Sequence, residues 1–313
     1  MTSLEFTPGR AVVTPKDAAS VIVLRDTEHG LEVFCVHRHA RSGFLGGAVV
    51  FPGGKLDAAD ASDDWDSITT EMHARTLVFA SAYTDANNPG AVSQTSPSPE
   101  TRPLQDLSSK ARAIAIAGCR ETLEEGCILP TEPSVLSHEQ ALILRGDCHA
   151  AKTTLARALG IQGNKLALNQ LVPWARWVTP QAESRRYDAR FFLLRLPKGQ
   201  FGRHDEHETT QSFWATPKDV LDKFMQGHIF VAPPTTRTLE LLTKAGDVAH
   251  AMALAEQQSL APICPQFVPG DEVTGPYLAL PGDSAHDVKE KRVEGSTRFI
   301  LRDGLFVSGP LTP

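Results

Sequence analysis

Apolar residues recur along this chain in two rhythms. Runs rich in β-branched and apolar residues occupy Ala18 to Leu24 and Leu31 to Val36, with polar Arg25 to Gly30 between them. This arrangement predicts a β-hairpin. Gly46 to Phe51 reads as a short buried strand leading into the turn Gly53-Gly54. Helical spacing then appears at Trp65, Ile68, Met72, Leu77 and Phe79, predicting a helix within Trp65 to Tyr83. Residues 87–103 carry Pro89, Pro97, Pro99 and Pro103 among Asn, Ser and Thr, which predicts a mobile loop. A long helix is expected from Ser108 or Ser109, either of which can cap it, through Glu125. Ser137 to Leu159 is helical in pattern, with a break expected near Gly146.

The second half alternates less regularly. Trp174 to Thr179 and Arg190 to Leu196 read as strands, the latter stopped by Pro197. Phe213 to Ala215 is a short strand and Pro217 to Met225 a helix. Pro233-Pro234-Thr235 opens a helix expected to reach about Gln257, with Thr235 as its cap. Beyond Pro262, Tyr277 to Leu280 and Arg298 to Val307 are strand candidates, and Asp303-Gly304 divides the second into a hairpin. There are no internal repeats. Strands and helices mix without strict alternation.

Composition narrows the functional classes. With 41% hydrophobic and 22% charged residues in 313, the chain reads as an ordinary globular protein able to bury a full core. A net charge of −6 gives no bulk attraction to nucleic acid or to an anionic membrane, so neither is expected as a partner. Met1 to Arg10 has no apolar centre and predicts no secretory signal, and the longest apolar run, Ala113 to Ala117, is too short to span a bilayer. Five scattered cysteines without a Cys-x-x-Cys pair fit free thiols in a reducing cytoplasm. Leu311-Thr312-Pro313 is not a peroxisomal targeting tripeptide of the Ser-Lys-Leu type.

The chemistry concentrates in Arg120-Glu121-Thr122-Leu123-Glu124-Glu125. On a helix Glu121, Glu124 and Glu125 crowd one face, where their like charges repel. Acid at a helix C-terminus also opposes the helix dipole. A divalent cation such as Mg²⁺ or Mn²⁺ turns that repulsion into binding, with substrate phosphates completing its shell. Upstream, Gly53-Gly54 provides a tight turn that can approach a ligand, followed by Lys55-Leu56-Asp57-Ala58-Ala59-Asp60. Lys55 is placed to meet a phosphate or to stay solvated.

These two segments resemble the halves of a Nudix box. That motif runs Gly, five residues, Glu, seven residues, Arg-Glu, an apolar residue, any residue, Glu-Glu, any residue, Gly, and a final apolar residue. Gly54 fits the first glycine, Asp60 stands as a shorter acid for the first Glu, and Arg120, Glu121, Glu124, Glu125 and Ile128 fit the second half. Residues 61–119, 59 in all, lie where the motif has seven, so 52 are additional. Thr122 replaces an apolar residue, and Gly126-Cys127 reverses the usual order, so the helix is expected to end with Gly126 in the left-handed cap position.

The resemblance implies the Nudix α/β/α sandwich around a mixed sheet, with a helical and loop insertion at about 61–107. It divides the chain into a Nudix domain at 1–260 and a C-terminal β extension at 261–313. It implies a metal-dependent hydrolase that cleaves a nucleoside diphosphate derivative, with homodimerisation as the family habit. Glu121, Glu124 and Glu125 would bind metal, Arg120 would orient a glutamate, and Gly53, Gly54 and Lys55 would meet substrate. A further carboxylate in the stretch His204 to Glu208, Glu208 ahead of Glu206, would act as base or extra ligand, the alternative being a solvated acidic loop. No second Cys/His cluster supports reading that stretch as a zinc site.

A branch of the family with a long insertion inside the box, which includes the animal peroxisomal coenzyme A diphosphatase, is similar in more places. The matching pieces are Val50 to Asp57, Trp174 to Pro180, Arg186-Tyr187-Asp188 before Phe191-Phe192, and Trp214 to Pro217. That likeness implies cleavage of CoA or acyl-CoA to phosphopantetheine and 3′,5′-ADP. ADP-ribose, NADH or a dinucleoside polyphosphate would be alternative substrates, and a non-catalytic nucleotide-binding module an alternative role. Arg185, Arg186 and Arg190 are candidates for the 3′-phosphate or for salt bridges along a strand. Trp174 and Trp177 are candidates for stacking on adenine or for the core. The insertion can serve as a substrate lid or as a surface elaboration.

Overall fold

A computed structural model describes residues 12–39, 46–81, 83, 104–205, 209–271 and 274–309. In chain order, β1 (Lys16–Thr27) and β2 (Gly30–Arg38) form the expected hairpin, followed by β3 (Ala48–Val50) and β4 (Gly53–Lys55). After the insertion come α1 (Leu104–Gly126), β5 (Thr131–Glu132), α2 (His138–His149), α3 (Leu155–Ile161) and β6 (Lys165–Leu166). β7 (Val172–Val178), β8 (Tyr187–Arg195), β9 (Thr209–Ala215), α4 (Pro217–Met225), β10 (Phe230–Val231), α5 (Pro233–Leu242) and α6 (Val248–Gln257) complete the central region. The tail adds β11 (Gln266–Val268), β12 (Tyr277–Ala279), β13 (Arg298–Arg302) and β14 (Leu305–Ser308).

The eight-stranded main sheet is mixed, in the order β10-β3-β2-β1-β8-β7, with β4 paired to β1 and β9 to β2. β1 runs antiparallel to β2 but parallel to β8. Alternation along β1 feeds two cores, because successive side chains of a strand point to opposite faces. Ala19, Val21 and Val23 pack beneath α1 with Ile114, Ile116 and Phe192. Ile22 and Leu24 face the other way, among residues of α4, α5, α6 and the tail. The sheet is thus sandwiched between two helical layers, as the α/β reading expects. Leu278, Leu280, Phe299 and Phe306 of the tail belong to that second core.

Several boundaries differ from expectation. Among the described residues, Trp65 to Tyr83 holds no α-helix. Short 3₁₀ turns at Asp63–Trp65 and Ala74–Ala80 flank a stretch whose backbone pairs elsewhere, Thr70 N donating to Leu166 O at 3.0 Å and Leu166 N to Ile68 O at 2.8 Å. Long-range pairing overrides the local period there. α1 starts one turn before Ser108, so neither Ser108 nor Ser109 is its cap. The break expected at Gly146 lies instead after His149. Ala151 takes φ 53°, and the Thr154 side chain then caps α3 by accepting from Arg157 N. The helix expected to run to Gln257 is two helices, because Asp247 caps α6 by accepting from His250 N. Ala232 rather than Thr235 is the first cap, and Thr235 lies inside α5. The tail hairpin turns where expected, with Asp303 and Gly304 both at positive φ. The proline-rich 87–103 stretch, expected to be a mobile loop, lies outside the described residues.

Among the described residues no helix is long and apolar enough to cross a membrane. All five cysteines are free thiols. Burial pushes the Cys35 thiol up to about 12, so it behaves as a small core apolar residue.

Candidate active site

The middle of α1 is a packing element and its last turns carry the chemistry. Ala113 to Ala117 are buried against the sheet, and Gly118 sits so close to β1 that a Cβ there would lie 3.1 Å from Val21 Cγ2. Thr122, at an ordinarily apolar position, is fully buried and donates its hydroxyl to Gly118 O at 2.7 Å, so its polarity is satisfied. The helix does not end as expected. Gly126 stays helical and Cys127 takes the left-handed conformation, φ 54°, its N–H donating to Leu123 O. The glycine is needed for space, since a Cβ there would approach Phe34 Cε1 to 2.9 Å.

The turn from the other half of the box is folded onto this helix. β4 pairs with β1 through Ser20↔Gly53, Ala19↔Gly54 and Ala18↔Lys55. A Cβ on Gly53 would collide with Ala19 O, and one on Gly54 would overlap the Glu121 carboxylate. Only glycine permits these approaches. Gly53 N donates to Glu125 Oε2 at 3.0 Å, a direct bond across the insertion.

Arg120 ties the carboxylates together. Its Nε and one terminal nitrogen fork onto Asp60, both at 2.9 Å, a bidentate geometry that fixes both partners. The other terminal nitrogen donates to Glu121 Oε1 at 2.9 Å and Glu124 Oε2 at 3.0 Å. Asp60 is only 1% exposed and also accepts from Asp57 N. Burial alone would weaken the charge on Arg120, but Asp60 and the glutamates more than offset it and hold the guanidinium ionised. Burial raises the Glu124 carboxyl above its ordinary range, with Arg120 opposing.

A cleft of about 540 Å³ opens over this cluster, lined by Gly53, Gly54, Lys55, Arg120, Glu121 and Glu124 among others. Lys55 is exposed, its Nζ 3.4 Å from Asp57 Oδ1. Trp177 lines the cleft, whereas Trp174 is a core residue whose Nε1 donates to Thr238 Oγ1. Arg186 does not reach the cleft. It is buried with its guanidinium donating to Thr179 O at 2.9 Å and Val13 O at 2.8 Å. Arg190 is wholly buried against Asp17 and Asp188, and Arg185 is exposed away from the lining. Glu206 and Glu208 lie outside the described residues.

One lining cation escaped the sequence reading. Arg38 ends β2 beside a register shift in the β2–β9 pairing, between His37 and Arg38. Such irregularities re-aim side chains at sites. Its Nε is buried and makes no hydrogen bond among the described residues. A lone arginine at a strand end carries no sequence signal of this role.

The donor set suits a hard divalent cation. Glu121 and Glu124 offer carboxylate oxygens to the cleft from one helical face. Glu125 is 2% exposed with Oε2 accepting from Gly53 N, and Gly54, lacking a side chain, leaves the room that the Glu121 carboxylate occupies. Among the described residues no three acidic, His or Cys groups already converge as a cage, since Arg120 engages Glu121 and Glu124. A bound cation would compete with Arg120 for those two carboxylates while Asp60 keeps its fork.

The family description NUDT19 Nudix domain matches residues 9–242. Acyl-coenzyme A diphosphatase NUDT19 of Xenopus laevis is 25% identical, the alignment covering 87% of this chain and 80% of that protein. Its Gallus gallus counterpart is 27% identical over 87% of this chain and 78% of its own length. Among solved structures, a NUDIX hydrolase from Alicyclobacillus acidocaldarius superposes with a TM-score of 0.58 at 23% identity, covering 78% of this chain and 97% of that one. Nudix hydrolases generally use divalent metals. With the divided box reassembled around Arg120 and the family description spanning most of its length, the chain belongs to the NUDT19 Nudix family and is a Nudix hydrolase.

Proposed function

We propose that this enzyme hydrolyses the diphosphate of CoA or acyl-CoA, releasing phosphopantetheine, or its acylated form, and 3′,5′-ADP. The observation that carries the hydrolytic reading is the closure of the two half-motifs, with Arg120 forked onto Asp60 and Gly53 N bonded to Glu125. The substrate assignment is supported by the names of the frog and chicken relatives.

In this reading Glu121, Glu124 and Glu125 would hold Mg²⁺ or Mn²⁺, which would supply charge neutralisation for the phosphates and a lowered pKa for water at the site. Water oxygen forms a bond to one phosphorus as the bridging P–O bond breaks, and the departing phosphate oxygen keeps the electron pair. The water's proton passes to a carboxylate. Glu124, raised by burial, is suited to accept it, and Glu208 or Glu206 is the further candidate. Gly53 and Gly54 let the diphosphate approach the backbone. Arg38 and Lys55 are the lining cations left to meet phosphate oxygens, including the 3′-phosphate. Arg120 positions Glu121 and Glu124 and stays off the substrate.

Free thiols support a reducing compartment, which we take to be the cytoplasm. A homodimer follows the habit of the family, and light scattering should then give twice 33.9 kDa. At about residue 260 the Nudix domain gives way to the C-terminal extension, which shares its second core.

The test is a panel of CoA, an acyl-CoA, ADP-ribose, NADH and a dinucleoside polyphosphate, incubated with Mg²⁺ or Mn²⁺, with products identified by mass. Release of 3′,5′-ADP from CoA or acyl-CoA is expected. Turnover confined to ADP-ribose, NADH or the dinucleoside polyphosphate would reassign the substrate. No turnover with any member would leave only nucleotide binding.

A further inference from the structure

The match to the family description ends at residue 242, yet Pro265 and Leu278, beyond it, line the cleft. We propose that the C-terminal segment is the specificity wall of the active site and holds the acyl-pantetheine arm of the substrate. This inference rests on the CoA reading above.

The tail is firmly tied where it meets the cleft. Ile263 bridges Trp177 in parallel, Val178 N donating to Ile263 O at 2.8 Å and Ile263 N to Arg176 O at 2.9 Å. Arg292 clamps Pro262 O at 2.5 Å, and His286 Nε2 lies 2.9 Å from Cys264 O. Pro265 is therefore held just past the edge of β7. Leu278 is the middle residue of β12, paired on one side to β11 and on the other to β13, and is 1% exposed. Leu278 cannot drift from the cleft without breaking the second core, to which Ile263, two residues before Pro265, also belongs.

Charge decides which arm lies there. Among the described residues, every cationic lining residue, Arg38, Lys55 and Arg120, comes from β2, β4 or α1. The described lining from β7, β8, the start of α5 and the tail, including Trp177, Tyr187 and Phe191, has no charged side chain. The adenosine arm of CoA carries a 3′-phosphate, and burying that charge away from any cation is strongly unfavourable. The thioester arm and its acyl chain carry no charge and gain from apolar walls. With the diphosphate at the glutamates, the adenosine 3′-phosphate belongs near Arg38 and Lys55, and the acyl arm against Trp177, Pro265 and Leu278.

Chain-length profiling tests this. We would measure kcat/KM for free CoA and for acetyl-, butyryl- and hexanoyl-CoA on the wild type, Leu278→Ala and Pro265→Ala, with thermal melts to verify folding. The wild type should gain with chain length, by up to about fourfold per buried CH₂. Both variants should flatten that gain, the hexanoyl-to-free-CoA ratio falling about tenfold. Pro265→Ala, in a loop, covers the case in which Leu278→Ala fails to fold. An unchanged ratio in a folded variant, or a flat wild-type profile with free CoA still cleaved, overturns the inference alone. Wild type that releases no 3′,5′-ADP from any of the four overturns the CoA reading and the inference together.

Discussion

Arg120 is the residue on which the site turns. Its fork on Asp60 stands in for the longer acid of the family motif, since a bidentate guanidinium makes up the reach that the shorter side chain lacks. Arg120→Ala leaves the Asp60 carboxylate buried and unpaired, which should destabilise the fold by about 3–5 kcal/mol in urea unfolding. Arg120→Lys keeps the charge but cannot fork, and kcat/KM should fall about 10–100-fold with a smaller stability loss. Equal activity of Arg120→Lys and wild type would show that the fork does not orient the glutamates. At Gly54 the expectation is steric: Gly54→Ala displaces the Glu121 carboxylate, so metal affinity measured by calorimetry should drop about tenfold or more. The glutamates stood out by their helical spacing, and Arg120 by the resemblance to the Nudix box. Arg38 did not stand out, because a register shift that re-aims one side chain has no trace in the pattern of apolar residues.

At the level of elements, locally encoded features were readable and those set at long range were not. The β1–β2 hairpin, α4 and the Asp303-Gly304 turn follow from signals within a few residues. The 3₁₀ turns around Thr69 and Thr70 depend on backbone pairing with Leu166, nearly a hundred positions away. Gly126 shows the same division: a glycine near a helix end reads as a cap, yet here it makes room for Phe34. The tail has its own electrostatic fastener. Asp283 accepts from Arg298 at 2.8 and 3.1 Å, from Thr297 and from Ala285 N. Burial raises its carboxyl, but these bonds outweigh burial and hold it below its usual value. A depressed folded-state value means that the stabilisation is present above the unfolded value of about 3.9 and is lost as pH falls through the folded one. Asp283→Asn should therefore lower Tm near neutral pH, with the difference from wild type shrinking as the pH drops below about 4. A difference that grew on acidification would contradict that pairing.

Across the whole molecule, one sheet with a core on each face brings distant segments to a single cleft. α1 is pressed on one face and delivers the glutamates at its end. α5 and the tail, on the other face, supply the uncharged lining. The 59 residues between Asp60 and Arg120 leave the two half-motifs in direct hydrogen-bond contact. A tail that reads from sequence as a separate β extension shares a core with the catalytic region, because Leu278, Leu280, Phe299 and Phe306 complete its apolar surface.

The decisive measurement is release of 3′,5′-ADP from CoA by the wild type and Glu125→Gln, with Mg²⁺ or Mn²⁺ and again after chelation. The wild type should release it only with metal present, and Glu125→Gln should be slower by about 100-fold or more. Wild-type turnover that survives chelation, or a Glu125→Gln variant as fast as the wild type, would contradict a metal-dependent diphosphatase built on this helix.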